Sequence, residues 1–178
     1  MTEPTTDDLG DLDQLVLGEN ARLLRFDTRG SNRDIAAALA RQARQSIDIL
    51  TPDLELPVYD SPGFLEAVRQ LAIRSRSTRV RVLVGDSTAA VKSGHRLIEL
   101  ARHFTSSVFI HNPSRQHQDF GHADLMVDGV GYLHKHISSR YEGEANFRDP
   151  LRCRELLREF DALWELSQPD PEMRRLHI

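Results

Sequence analysis

The stretch that most constrains this chain is residues 121–135, GHADLMVDGVGYLHK. A histidine opens it, the apolar run 125–127 follows, and Asp128-Gly129 supplies a dipeptide suited to the positive φ angles of a tight hairpin turn. A second strand returns through residues 131–135. An isolated two-stranded hairpin is marginal in water, so the rest of the chain must build a sheet around this one.

The preceding 100 or so residues read as the material for that sheet. Residues 22–26 form a short strand. Ser31 or Asn32 caps a helix running to about Arg44, with Ile35, Leu39 and Ala43 at helical spacing. Residues 46–51 (SIDILT) are a strand that Pro52 ends, and residues 54–60, which contain Pro57, are expected to be extended but irregular. Ser61 caps and Pro62 starts a helix to about Arg74, buried through Phe64, Leu65, Val68 and Leu71. The near-continuous apolar run 80–84 fits a strand covered on both faces. Asp86 or Ser87 opens a helix that buries Val91, Leu97, Ile98, Ala101 and Phe104, with Gly94 weakening its middle.

Residues 107–110 give a fourth strand, and a polar loop over 111–120 leads into the hairpin. Residues 138–148 are expected to be a loop. Asp149-Pro150 then caps a long helix that buries Leu156, Leu157, Phe160, Leu163 and Trp164, followed by a polar tail from Gln168. Alternating helices and strands followed by a hairpin predict an α/β fold with a mixed, largely parallel central sheet flanked by helices. Residues 1–18 are expected to be a flexible arm, and residues 19–178 a single domain.

Composition narrows the function. With 178 residues, 39% of them hydrophobic, the chain can bury one proper core. A net charge of −4 argues against a general electrostatic nucleic-acid binder, although Arg69, Arg74, Arg76, Arg79 and Arg81 concentrate positive charge over 69–81. No apolar run approaches the ~20 residues of a membrane helix, and the acidic N-terminus has no signal-peptide character. A cytoplasmic protein that does not enter membranes is expected. The single cysteine, Cys153, excludes an internal disulfide and reads as structural.

Phosphate-binding and dinucleotide glycine motifs are missing, as is the Gly-X-Ser-X-Gly elbow, so no cofactor is expected. His134 and His136 share a strand face and could join His122, but no well-spaced carboxylate or cysteine accompanies them, so no metal is expected. His95, Arg96, Arg140, Tyr141 and Arg148 could together hold an anion.

The order strand–helix–strand–helix–strand, then histidine, apolar strand, Asp-Gly and return strand, resembles one half of the phospholipase D superfamily. The motif of that superfamily is His-X-Lys-X4-Asp, with a small-residue segment ending in Asn downstream. The resemblance implies a phospholipase D-like half whose site forms where two copies meet, here as a homodimer. In such a site the histidine attacks phosphorus and the lysine holds phosphate oxygens. On this mapping His122 takes the nucleophile's place, Ala123 is the spacer and Asp124 stands where lysine belongs. Asp128 comes one residue early, and Gly143, Glu144, Ala145 and Asn146 match the downstream segment with Glu in place of the usual Ser. Exchanging Lys for Asp reverses the charge at the phosphate position and should cost several orders of magnitude in rate.

The phrases YDSPGFLEAVRQLAIRSR, GHRLIELARHF, SRYEGEANF and WELSQPDPEMRRLHI are also similar to a bacterial domain of unknown function often fused behind an acetyltransferase-like domain. Together these resemblances imply a degenerate phospholipase D-like fold with no known activity, and the expectation is a non-catalytic or cryptic domain. Its role would be to bind a phosphate-containing ligand, a nucleic acid or a protein partner, an acetyltransferase-like one included. His95, Arg96, Arg140, Asn146 and Arg148 are the candidate binding residues. The alternative is a homodimeric phosphodiesterase, of nuclease or phospholipase type, with His122 as its catalytic nucleophile.

Overall fold

The computed structural model describes residues 9–174. Its strands are β1 (Leu23–Phe26), β2 (Ser46–Thr51), β3 (Arg79–Val84), β4 (Val108–Asn112), β5 (Ala123–Val127), β6 (Gly131–Lys135), β7 (Gly143–Asn146) and β8 (Gln168–Pro169). They form one sheet in the order β1-β7-β6-β5-β2-β3-β4-β8. The hairpin strand β5 pairs antiparallel with β2, which places it mid-sheet as its sequence demanded. The sheet is mixed and flanked by helices, as expected, but its parallel share is smaller than the alternating pattern suggested. Among the described residues only β2–β3 and β3–β4 run parallel, because the hairpin, β7, β1 and β8 all join antiparallel.

The helices are α1 (Arg29–Arg41), α2 (Leu56–Tyr59), α3 (Pro62–Arg74), α4 (Thr88–Lys92), α5 (Arg96–His103) and α6 (Pro150–Glu165). The helix α3 keeps its expected bounds. In α1 the cap moves to Thr28, whose Oγ1 accepts from the Ser31 N–H, so the helix starts earlier than its Ser-Asn pair implied. The helix expected over residues 86–104 is two helices, because Gly94 adopts φ +68 between them and His95 caps the second. Two further expectations are corrected. Residues 54–60 contain the single turn α2, with proline tolerated in its first turn. Residues 138–148 hold β7, which fills the gap between β1 and β6 and so satisfies both backbones.

Side chains alternate across the sheet. One face carries Ile47, Ile49, Val80, Val82, Leu125, Val127 and Leu133 into a large core with α1, α3 and α5. The other carries Leu50, Leu83, Met126 and Tyr132 against Cys153, Leu156 and Phe160 of α6. That second face is also polar: Asp48, Asp124 and His134 lie buried on it, beside Arg81 and His111.

The first eight residues of the expected N-terminal arm lie outside the described residues. Residues 9–18 run along the body: the Leu17 N–H donates to Gln42 Oε1 at 2.8 Å, Gln42 Nε2 donates to the Leu15 carbonyl at 2.8 Å, and Leu9, Leu12, Leu15 and Leu17 pack on the core.

Candidate functional site

The hairpin turn sets the site's register. Asp128 and Gly129 adopt φ 54 and 66, and the Val130 N–H donates to the Val127 carbonyl at 3.0 Å. The ladder resumes by pairing Val127 with Gly131, which leaves Val130 as an extra residue in the return strand. Asp124 therefore stands opposite His134. The Asp128 carboxylate accepts from the backbone N–H groups of Arg44 and Gln45 at 2.8 Å and Ser46 at 2.9 Å, locking the turn to the start of β2. Its place in the structure is that of a backbone clamp.

His122, Asp124 and His134 meet at the carboxyl end of β2, on the α6 face of the sheet, the end of an α/β sheet where ligand sites commonly lie. One donor atom from each lies within 4.8 Å of the others. The Asp124 carboxylate is 2% exposed and sits between two imidazoles: Oδ1 is 2.5 Å from His134 Nδ1 and Oδ2 is 2.9 Å from His122 Nδ1. The second contact is close enough for an ion pair but is not aligned as a hydrogen bond. The outer nitrogens are held as well. His122 Nε2 lies 3.0 Å from Glu159 Oε1 on α6, and His134 Nε2 lies 3.1 Å from His136 Nδ1.

Electrostatics follow from this arrangement. Contact with Asp124 does most to hold His122 protonated, against its partial burial, and with help from Glu159 its pKa is pushed up to about 9. Burial alone would raise Asp124, but His122 and His134 more than offset it and keep the carboxyl below its usual range. The result is a charged His–Asp pair whose two imidazole nitrogens both face carboxylates. A phosphorus nucleophile needs an open approach to a ring nitrogen, and here Glu159 covers His122 Nε2 while Nδ1 is buried facing Asp124.

Lys135 lies on the opposite face, ion-paired with Glu55 and donating to the Ser138 carbonyl at 2.9 Å. It borders a cavity of about 470 Å³ with His95, Ser138, Ser139 and Tyr141. Burial lowers the pKa of His95. Its Nδ1 accepts from the Leu97 N–H at 3.2 Å, so its Nε2 donates to the Leu54 carbonyl at 3.0 Å. It thus ties α5 to the turn before α2. Arg96 is fixed on Asp60, with Nε 2.8 Å from Oδ1. Arg140 pairs with Glu142 at the surface, while the Oδ1 of Asn146 accepts from the Arg148 N–H at 2.9 Å. Asn146 stands opposite Tyr132, at the far end of β6 from Lys135. The five residues proposed from sequence therefore do not converge on one ligand position. Sequence reading missed Glu159, which looks like any solvent-facing helix residue until the fold lays α6 across β5.

The chain shares its fold with phospholipase D family members and with proteins of other kinds. Nuc from Salmonella typhimurium, a phospholipase D family member, is 13% identical, with a TM-score of 0.58 over 84% of this chain and 97% of its own. NucT from Helicobacter pylori is 10% identical, with a TM-score of 0.58 over 84% and 99%. TrmBL2, an archaeal chromatin protein with a novel mode of DNA binding, is 12% identical, with a TM-score of 0.61 over 84% of this chain. The chain spans about half of TrmBL2, 54% of its length. At these identities the likeness is one of fold. No curated protein matches the chain in sequence. Among the described residues no helix is long and apolar enough to cross a membrane. A family model does match, over residues 28–176, and the chain belongs to that family, a domain of unknown function designated DUF7931.

Proposed function

We propose that this chain is a non-hydrolytic phospholipase D-like domain that works as a binding module. The observation that carries the reading is His122 held between Asp124 at 2.9 Å and Glu159 at 3.0 Å. Where the resemblance calls for a lysine to hold phosphate oxygens, a buried carboxylate would repel them. A phosphate-bearing partner is better received elsewhere. Arg74, Arg76 and Arg79 are exposed at the turn between α3 and β3, and Arg44 lies near them at the amino ends of β2 and β3. This edge is at the opposite end of the sheet from His122. TrmBL2, which shares the fold, binds DNA, and this adds support to a nucleic-acid or phosphate ligand on that edge.

The test is hydrolysis of a chromogenic phosphodiester and of single-stranded DNA by wild type and His122→Ala, with solution mass measured on the same samples. No turnover beyond the level shared by both proteins is expected. Turnover by a wild-type dimer that His122→Ala abolishes would overturn the reading and restore the phosphodiesterase. Fluorescence anisotropy with labelled single-stranded DNA tests the edge. Binding that weakens with salt and with Arg74→Glu/Arg79→Glu supports it, and binding indifferent to both changes removes the edge from the proposal.

A further inference from the structure

We propose that His122, Asp124 and His134 form a binding site for a divalent transition-metal ion, with zinc as the natural probe. Along the chain no carboxylate stands at a recognised metal-ligand spacing from these histidines. The fold supplies one by setting Asp124 across the hairpin from His134 and beside His122. Two imidazoles and a carboxylate are a donor set suited to zinc and its first-row neighbours.

Three features go beyond the mere proximity of these groups. First, the outer nitrogen of each imidazole is already occupied, His122 Nε2 by Glu159 and His134 Nε2 by His136. That is the arrangement by which outer partners orient histidine ligands and turn the other ring nitrogen inward. Second, His122 Nδ1 is buried and has no aligned hydrogen-bond partner, although Asp124 Oδ2 is only 2.9 Å away. An ion bonded to both atoms would satisfy that nitrogen; a proton between them is poorly placed to do so. Third, Asp124 and His134 are 2% and 7% exposed, whereas the His122 side chain keeps 22%. The cluster is thus walled on the β6 side and open at His122, which gives an ion a way in and leaves a coordination position for water or a ligand.

Metal–ligand distances of about 2.0–2.2 Å call for donor atoms about 3.3 Å apart in a tetrahedral set. Side-chain adjustments of about an ångström would bring the present cluster to that spacing. The charge reversal at position 124 then acquires a positive reason. A site that would hold a phosphate with lysine holds a cation with aspartate, and Glu159 adds a second negative charge nearby. The metal site stands independently of whether the domain hydrolyses phosphodiesters.

The test uses the whole chain, stripped with a chelator and titrated with zinc by calorimetry, with metal content then measured after gel filtration. One tightly held zinc per chain is expected. His122→Ala, Asp124→Asn and His134→Ala should each weaken it by more than about a hundredfold, and Glu159→Gln by about ten- to a hundredfold. His117→Ala, at an exposed histidine outside the cluster, should bind as wild type does. If a ligand variant does not fold, nitrogen-15 spectra of the wild-type imidazoles decide. Zinc should shift the Nδ1 resonances of His122 and His134 above those of the other histidines. No stoichiometric uptake, uptake untouched by the ligand variants, or shifts confined to other histidines would each overturn the site. Zinc-dependent hydrolysis would overturn the non-hydrolytic reading and leave the metal site standing.

Discussion

Lys135 and Glu55 form an ion pair sealed inside the protein, their side chains 2% and 9% exposed. Glu55 reaches Lys135 from a backbone in the left-handed region, φ 26, directly after Leu54 at φ 69. His95, by donating to the Leu54 carbonyl, helps hold that turn in place. Two buried charges gain little net stability over an apolar pair, but removing one strands the other. Lys135→Ala should therefore cost about 3–5 kcal/mol in urea unfolding. Lys135→Met combined with Glu55→Leu should recover most of that loss. A double variant as unstable as the single one would show that the pair does more than neutralise itself.

Asp128 should matter more to stability than a turn residue ordinarily does, because its carboxylate serves three backbone donors of β2 and the residues before it. Hydrogen bonds to a charged group are worth about 1.5–3 kcal/mol each, and they share one carboxylate here. Asp128→Ala should cost about 3 kcal/mol by denaturant titration. Asp128→Asn tolerates the positive φ and keeps one acceptor oxygen, so it should lose about half as much.

Gly143 admits no side chain. A Cβ there would collide with the His134 carbonyl oxygen and lie 2.7 Å from the Phe26 ring. Gly143→Ala must push β7 off β6 and destabilise the fold by about 3 kcal/mol or more, read as a fall in melting temperature. At Gly121 nothing lies within 4 Å of the added carbon, and Gly121→Ala should be nearly neutral.

Cys153 gives a pH dependence of known sign. Burial, with the nearby Asp48 and Asp149 charges adding to it, pushes the thiol up to about 12 from its ordinary value of 9.0. The folded state thus disfavours the thiolate. Its contribution to stability is fully present below pH 9 and is lost as pH rises from 9 towards 12. Iodoacetamide at pH 8 should leave native Cys153 unmodified and label it at the rate of unfolding. Cys153→Ser should flatten the alkaline loss of stability relative to wild type. Fast labelling of the native protein would contradict the burial.

The sequence by itself determined the elements whose signals are local. Ser61-Pro62 and an apolar stripe set the bounds of α3. The run around Val82 specified a strand covered on both faces, and Asp128-Gly129 specified a turn. His122 and Asp124, two apart before and within a strand, were bound to share a face. Tertiary structure decided what that face meets. A strict two-residue hairpin would have set Asp124 opposite Leu133, and the extra residue Val130 moves it to His134 instead. Glu159 reaches His122 only because α6 packs back over β5, 37 residues along the chain. β7 carries weak strand propensity and exists because β1 and β6 present unpaired backbone on either side of it. Local chemistry fixes which residues can form a strand, a helix or a turn. Which charges are neighbours depends on register and on long-range packing, and these are settled only when the whole sheet has closed.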